Sequence, residues 1–231
     1  MTDPSMHGTP VGTLAGKYSL AEIDTQCRKA TRGAGYSWGL AEEAGKAVRW
    51  LSARGLPGPQ ALAGLLSDHD GKDYAQIKPL HTESCLVAAA GTLCPIITGA
   101  LLSDQALEYA KASSLSCGAV AWPLLLLPFL ARLAEIADIQ LETSWSDLEI
   151  RLGPKGISMS GPEPTYLTAR TEQLIIHSAA HAHALRRVSI CNCAVPAPTW
   201  QILDKYAART YAPATEASRL TGAGADTHDL D

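Results

Sequence analysis

The chain has 231 residues, 46% hydrophobic and 18% charged, with 19 Lys and Arg against 23 Asp and Glu. A formal net charge of −4 and a mean hydropathy of +0.01 put it in the globular range. No Lys/Arg block supplies the basic stripe that nucleic-acid binding needs, so that function is excluded. The length can bury a sizeable core as one or two domains, and with one Phe present the filling must come from Leu, Ile, Ala and five Trp.

The N-terminal stretch "MTDPSMHGTPVGTLAGKYS" has no basic n-region and no apolar h-region, so it does not read as a signal peptide. Residues 1–18 are expected to be a disordered lead-in to one α+β domain over 19–231. Ser19 and Glu22 stand in capping-box spacing and predict a helix from about Leu20 to Thr31, ended by Gly33 or Gly35. Ser37 can cap a second helix that runs to Arg54 before "GLPGP" stops it. At 100° per residue Leu40, Ala44, Ala47, Val48 and Leu51 share one face, and Trp38, Glu42, Lys46 and Arg49 the opposite one. A helical hairpin over 19–55 follows, and "PQALAGLLSD" adds a short third helix.

From "HTESCLVAAAGTLCPIITGALLSD" onward, short apolar runs broken by Gly and Pro read as buried strands or short helices, which periodicity does not separate. The longest apolar stretch, residues 118–131, falls short of the roughly 18–20 residues of a bilayer span and reads as a buried core helix. In "PLLLLPFLARLAEIAD" Pro123 lies near the first turn, and Pro128 must kink the helix or fit that turn. "IQLETSW", "DLEIRLG" and "GISMSG" predict an antiparallel meander, "RRVSICNCAV" a further strand and "PAPTWQILDKYAARTY" the last helix. The expected architecture is an N-terminal helical hairpin packed on a mixed or antiparallel sheet with further helices.

Several stretches together resemble a proteobacterial family defined by a domain of unknown function. They are "SLAEI" (19–23), "RGAGYSWGLAEEAGKAVRWL" (32–51), "LCPIITGALLSD" (93–104), "PLLLLPFLA" (123–131) and "ARTYAPATEASRLTGAGADTHDLD" (208–231). The family ending is usually Gly-Ala-Gly-Ala-Gly followed by an Asp-Asn-Asp-like finish; here Asp226 takes the last Gly position and Leu230 the middle of the acidic finish. The resemblance spans almost the whole chain from Ser19 and implies no particular activity.

Two readings of residues 31–51 stay open. Glycines ahead of a helix let backbone N–H groups approach an anion, with Arg32 as a clamp, Trp38 as an apolar wall and Arg49 on the same narrow face as Glu42. Against this, Arg-Gly-Ala-Gly lacks the P-loop Lys-Ser/Thr and follows a helix, so Gly33 and Gly35 would supply only the positive φ of a turn, and Glu42 and Lys46 a solvated i,i+4 pair. The C-terminal segment, with Arg209 and Arg219, either wraps onto the body and adds donors to a pocket or is a solvated tail. If it wraps, Arg32 and Arg219 would face one anion.

His177, His181, Cys191 and Cys193 could surround a zinc ion, but their spacing matches no zinc motif, and the cysteines read as buried hydrophobes in a core strand; no metal is assigned. Six cysteines without a CxxC pair read as reduced thiols of a cytoplasmic protein. Cys94, in an apolar run before Pro95, reads as an inert thiol, and Asp104 as the cap of "QALEYAK". "SMSGP" and "SLSCG" place Ser and Cys near Gly, but neither is Gly-x-Ser-x-Gly, and neither is assigned as a nucleophile.

The function that fits is a small-molecule metabolic protein binding a carboxylate or phosphate through Arg32, Trp38, Arg49, Arg209 and Arg219, with Glu42 or Glu43 handling a proton. The alternative is a non-catalytic accessory subunit that binds a partner enzyme. Neither reading calls for nucleic acid or membrane, no cofactor is assigned, and an oligomer is compatible with both.

Overall fold

The computed structural model of the chain describes residues 15–82, 85–179 and 192–211. It opens with strand β1 (Ala15–Ser19), where a lead-in had been expected through residue 18. The strand forms because it has a partner: it pairs antiparallel with β11 (Asn192–Pro196), and Tyr18 stacks on Trp200 with ring centroids 3.6 Å apart. Helix α1 (Leu20–Gly33) starts on the expected capping box, Ser19 accepting from the Glu22 N–H at 3.2 Å and Glu22 from the Ser19 N–H at 2.8 Å. Helix α2 (Trp38–Ser52) is capped by Ser37 as expected and buries Ala41, Ala44, Ala47, Val48 and Leu51. Helix α3 (Gly58–His69) is apolar over most of its surface and lies in the core.

The middle of the chain resolves the strand-or-helix ambiguity element by element. Helix α4 (Tyr74–Ile77) is a single turn, β2 (Leu80–His81) and β3 (Leu86–Val87) are short, and α5 (Pro95–Asp104) is a buried helix with proline in its first turn. Asp104 ends α5 and does not cap α6 (Ala106–Tyr109), whose cap position is Gln105, with no side-chain cap bond. Strands β4 (Ser114–Cys117) and β5 (Val120–Ala121) lead into a 3-10 turn, Pro123–Leu126, and α7 (Leu127–Ala137). Pro128 falls in the first turn of α7, where its missing N–H costs no helical hydrogen bond.

The expected meander is present as β6 (Gln140–Trp145), β7 (Leu148–Gly153) and β8 (Gly156–Ser160), paired antiparallel in continuous register. Strands β9 (Arg170–Thr171) and β10 (Leu174–Ala179) follow, and α8 (Ala197–Ala208) is the last helix described. The main sheet runs β2-β3-β4-β10-β6-β7-β8, antiparallel except for β3 beside β4. One face carries Leu141, Trp145, Ile150, Leu152 and Ile176 into the core against α7, while Glu142, Arg151 and His177 alternate to the other face.

The fold is therefore α+β, with the helical hairpin meeting its sheet indirectly. α1 packs on α2 and α8, α2 on α3, α5 and α7, and α7 in turn lies on β6 and β7. One continuous apolar cluster runs from Ile23 to Ala207 through Leu62, Ile96, Leu125, Phe129 and Leu148.

Candidate functional site

The turn between α1 and α2 is shaped by two glycines with different duties. Gly35 sits at φ +98° with open space around it, the positive-φ role expected of it. Gly33 is helical, and a Cβ there would collide with the Tyr206 carbonyl of α8, so glycine is required by close approach and not by its φ. Arg32 folds back over this turn. One guanidinium N–H donates to the Tyr36 carbonyl at 2.8 Å, and the group lies 5.2 Å from the centroid of the Trp38 ring. Trp38 is 60% exposed and holds the arginine rather than filling the core.

Facing this turn, Asp70-Gly71 ends α3, with Gly71 at φ +76°, and turns the chain into α4. The turn, α4 and one side of α5 enclose a cleft of about 1010 Å³. Its apolar wall is Leu40, Ile77, Pro79, Ile97 and Leu101; its charged groups are Arg32, Lys72 and Lys78 with Asp73 and Asp104. Among the described residues no carboxylate lies within ion-pairing distance of the three cations. Ser37, at the start of α2, also lines the cleft.

The floor holds a buried polar chain drawn from three elements. The Tyr36 hydroxyl lies 3.1 Å from His69 Nδ1 at the end of α3 and 3.4 Å from the Cys94 Sγ just before α5. Burial pushes the Tyr36 hydroxyl well above its ordinary value and raises the Cys94 thiol against the opposing hydrogen bond from Tyr36, so both keep their protons. Burial, reinforced by the nearby Lys72 charge, pushes His69 down to about 4 against a weaker opposing pull from Asp68. His69 is thus a neutral imidazole at pH 7, with Tyr36 and Cys94 as its neutral neighbours.

Residues 18–94 match a family model described as a protein of unknown function (DUF3726). That span contains the Arg32 turn, Tyr36, His69, both cleft lysines and Cys94, leaving only the α5 wall outside it. No curated protein matches the chain in sequence. Among solved structures it is similar to malate dehydrogenase from Entamoeba histolytica (14% identity, TM-score 0.40, 74% of this chain and 51% of that one). It is also similar to malate dehydrogenase from Pyrococcus horikoshii OT3 (12%, 0.45, 63% and 50%). A third is sulfolactate dehydrogenase from Methanocaldococcus jannaschii (11%, 0.40, 84% and 67%). The chain spans about half the length of the two malate dehydrogenases.

The other sequence-derived candidates lie apart from the cleft. Glu43 pairs with Lys46 at 2.8 Å and faces Arg132 at 3.8 Å, lining a separate cavity of about 240 Å³ beside α7. The Lys46 pair expected for Glu42 is thus made by Glu43, one position on, and Glu42 is exposed on α2. Arg49 lies 3.7 Å from Asp24 of α1. Arg209 forms a bidentate pair with Asp70 at 2.7 and 2.9 Å, tying α8 to the α3 end, and its hydrogen bonds hold the Asp70 carboxyl below the usual carboxylate range. Arg219, His181 and Cys191 lie outside the described residues. His177 is on strand β10 and Cys193 in the β1–β11 ribbon, two different sheets, and among the described residues no group of three His, Cys, Asp or Glu could hold a metal. No described helix is long and apolar enough to cross a membrane.

Sequence reasoning missed Lys72, Lys78, Tyr36, His69 and Asp104. The Asp70-Gly71 turn was the available signal for the lysines, since it announces a reversal directly after an apolar helix.

Proposed function

We propose that the cleft binds a small anionic metabolite, a carboxylate or phosphate, with Arg32 as the bidentate clamp and Lys72 and Lys78 completing the positive wall. The observation that carries this reading is the set of three cations without carboxylate partners among the described residues, lining one concave site. A guanidinium already oriented by the Tyr36 carbonyl and the Trp38 ring loses little further freedom on meeting an oxyanion. The start of α2 at Ser37 adds a favourable dipole end. In this reading His69 is the nearest proton-handling group, a neutral donor or acceptor on the cleft floor, while Glu42 and Glu43 have no part.

A thermal-shift screen of the purified chain against carboxylates and phosphates tests it. A ligand at 100 times its Kd adds about 2.7 kcal/mol, a rise of roughly 5–10 °C for a chain of this size. Arg32→Ala and Lys72→Ala should each abolish or sharply reduce that rise without lowering the ligand-free midpoint by more than a degree or two. A broad panel without a hit would overturn the reading and favour the accessory-subunit alternative.

A further inference from the structure

The cleft holds more than an anion site needs. At about 1010 Å³ it stands at the top of the roughly 300–1,000 Å³ that drug-sized ligands occupy, far more room than one phosphate or short carboxylate fills. Beside its cations it carries two carboxylates. Asp73 is committed to α4, accepting from the Ala75 N–H at 3.2 Å. Asp104 has no hydrogen-bond or ion-pair partner among the described residues. A bare carboxylate in an anion cleft repels the ligand unless the ligand brings its own donors, and an ionised carboxylate only accepts. Hydroxyls on adjacent carbons meet that requirement.

The third element is Tyr74. Its ring lines the cleft, is 53% exposed and has no ring or cation partner among the described residues. A free aromatic face in a half-apolar cleft suits a planar ring.

We propose that the ligand is a ribonucleotide, its phosphate held among Arg32, Lys72 and Lys78, its ribose hydroxyls donating to Asp104 and its base stacked on Tyr74. This assignment rests on the anion-cleft reading above. Isothermal titration of the full chain with ADP, ribose 5-phosphate and inorganic phosphate tests it. ADP should bind at least about tenfold more tightly than ribose 5-phosphate, as base stacking on one aromatic ring gives. Tyr74→Ala should erase that margin and leave ribose 5-phosphate unchanged; because the side chain is exposed, the variant keeps its thermal midpoint. Asp104→Asn should weaken ADP and ribose 5-phosphate several-fold without weakening inorganic phosphate. ADP no tighter than ribose 5-phosphate, or ADP indifferent to Tyr74→Ala, would overturn the nucleotide assignment while inorganic phosphate binding left the anion cleft standing. Carboxylate binding with no response to any of the three phosphates would overturn the nucleotide alone. Silence from phosphates and carboxylates together would overturn both.

Discussion

His69 is where a single residue governs a bulk property. It is 4% exposed, and its folded-state value of about 4 lies below the 6.5 of a free histidine. Between those values the unfolded chain binds a proton that the folded chain refuses, so stability rises with pH through this window. The contribution is fully present above about pH 6.5 and is lost as pH falls toward 4. From pH 7.5 to 5 the loss should reach about 2 kcal/mol. Urea midpoints at pH 7.5 and 5.0 should show it, and His69→Gln should flatten that slope whatever its effect at neutral pH. The Asp70 carboxyl, held low by Arg209, acts only below the ordinary carboxylate range and leaves this window clear. None of this was legible in the sequence. His69 ends an apolar helix in an ordinary way; its partner Tyr36 stands 33 positions away, and the Cys94 that Tyr36 also meets lies 58 positions from Tyr36, all joined only by tertiary packing.

At the scale of elements, the sequence was most informative where a local rule decides the outcome. The capping box at Ser19, the Ser37 cap, the meander over residues 140–160 and the placing of Pro128 each depend on neighbours within a few positions. It was least informative where two elements meet. Gly33 reads as a turn glycine, yet its work is to let the end of α1 approach the α8 backbone at Tyr206. Gly33→Ala should therefore cost about 1–3 kcal/mol through overpacking, although alanine is the better helix former. Gly39→Ala, on an exposed position of α2 with nothing near its Cβ, serves as the control and should be neutral or slightly stabilising in the same urea titration. Lys72, Lys78 and Asp104 escaped for the same reason: α4 is one turn long, and only the packing of α3 and α5 brings its flanking charges opposite Arg32.

Across the whole molecule, a helical layer and a seven-stranded sheet share one apolar cluster and are linked through α7. Leu203, fully buried on α8, belongs to the helical layer. Leu203→Ala should cost about 2–5 kcal/mol. In native-state hydrogen exchange it should speed α1 and α8 together while the amides of β6–β8 change less, because opening units follow packed neighbours. Uniform acceleration of both regions would instead mean that helices and sheet open as one unit.

The docking of α8 has a consequence for how the molecule is made. Gln26 of α1 donates to Asp204 of α8 at 2.6 Å across 178 positions, and Tyr206 reaches the Leu66 carbonyl across 140. The helices that carry the Arg32 turn leave the ribosome early, but the surface that completes them comes much later. At roughly 5–20 residues per second, α1 waits on the order of ten to forty seconds for its partner. During that interval the apolar side of a nascent helical hairpin is uncovered, and closure of a loop that long is slow. Chaperone demand in the cell should fall on this interval.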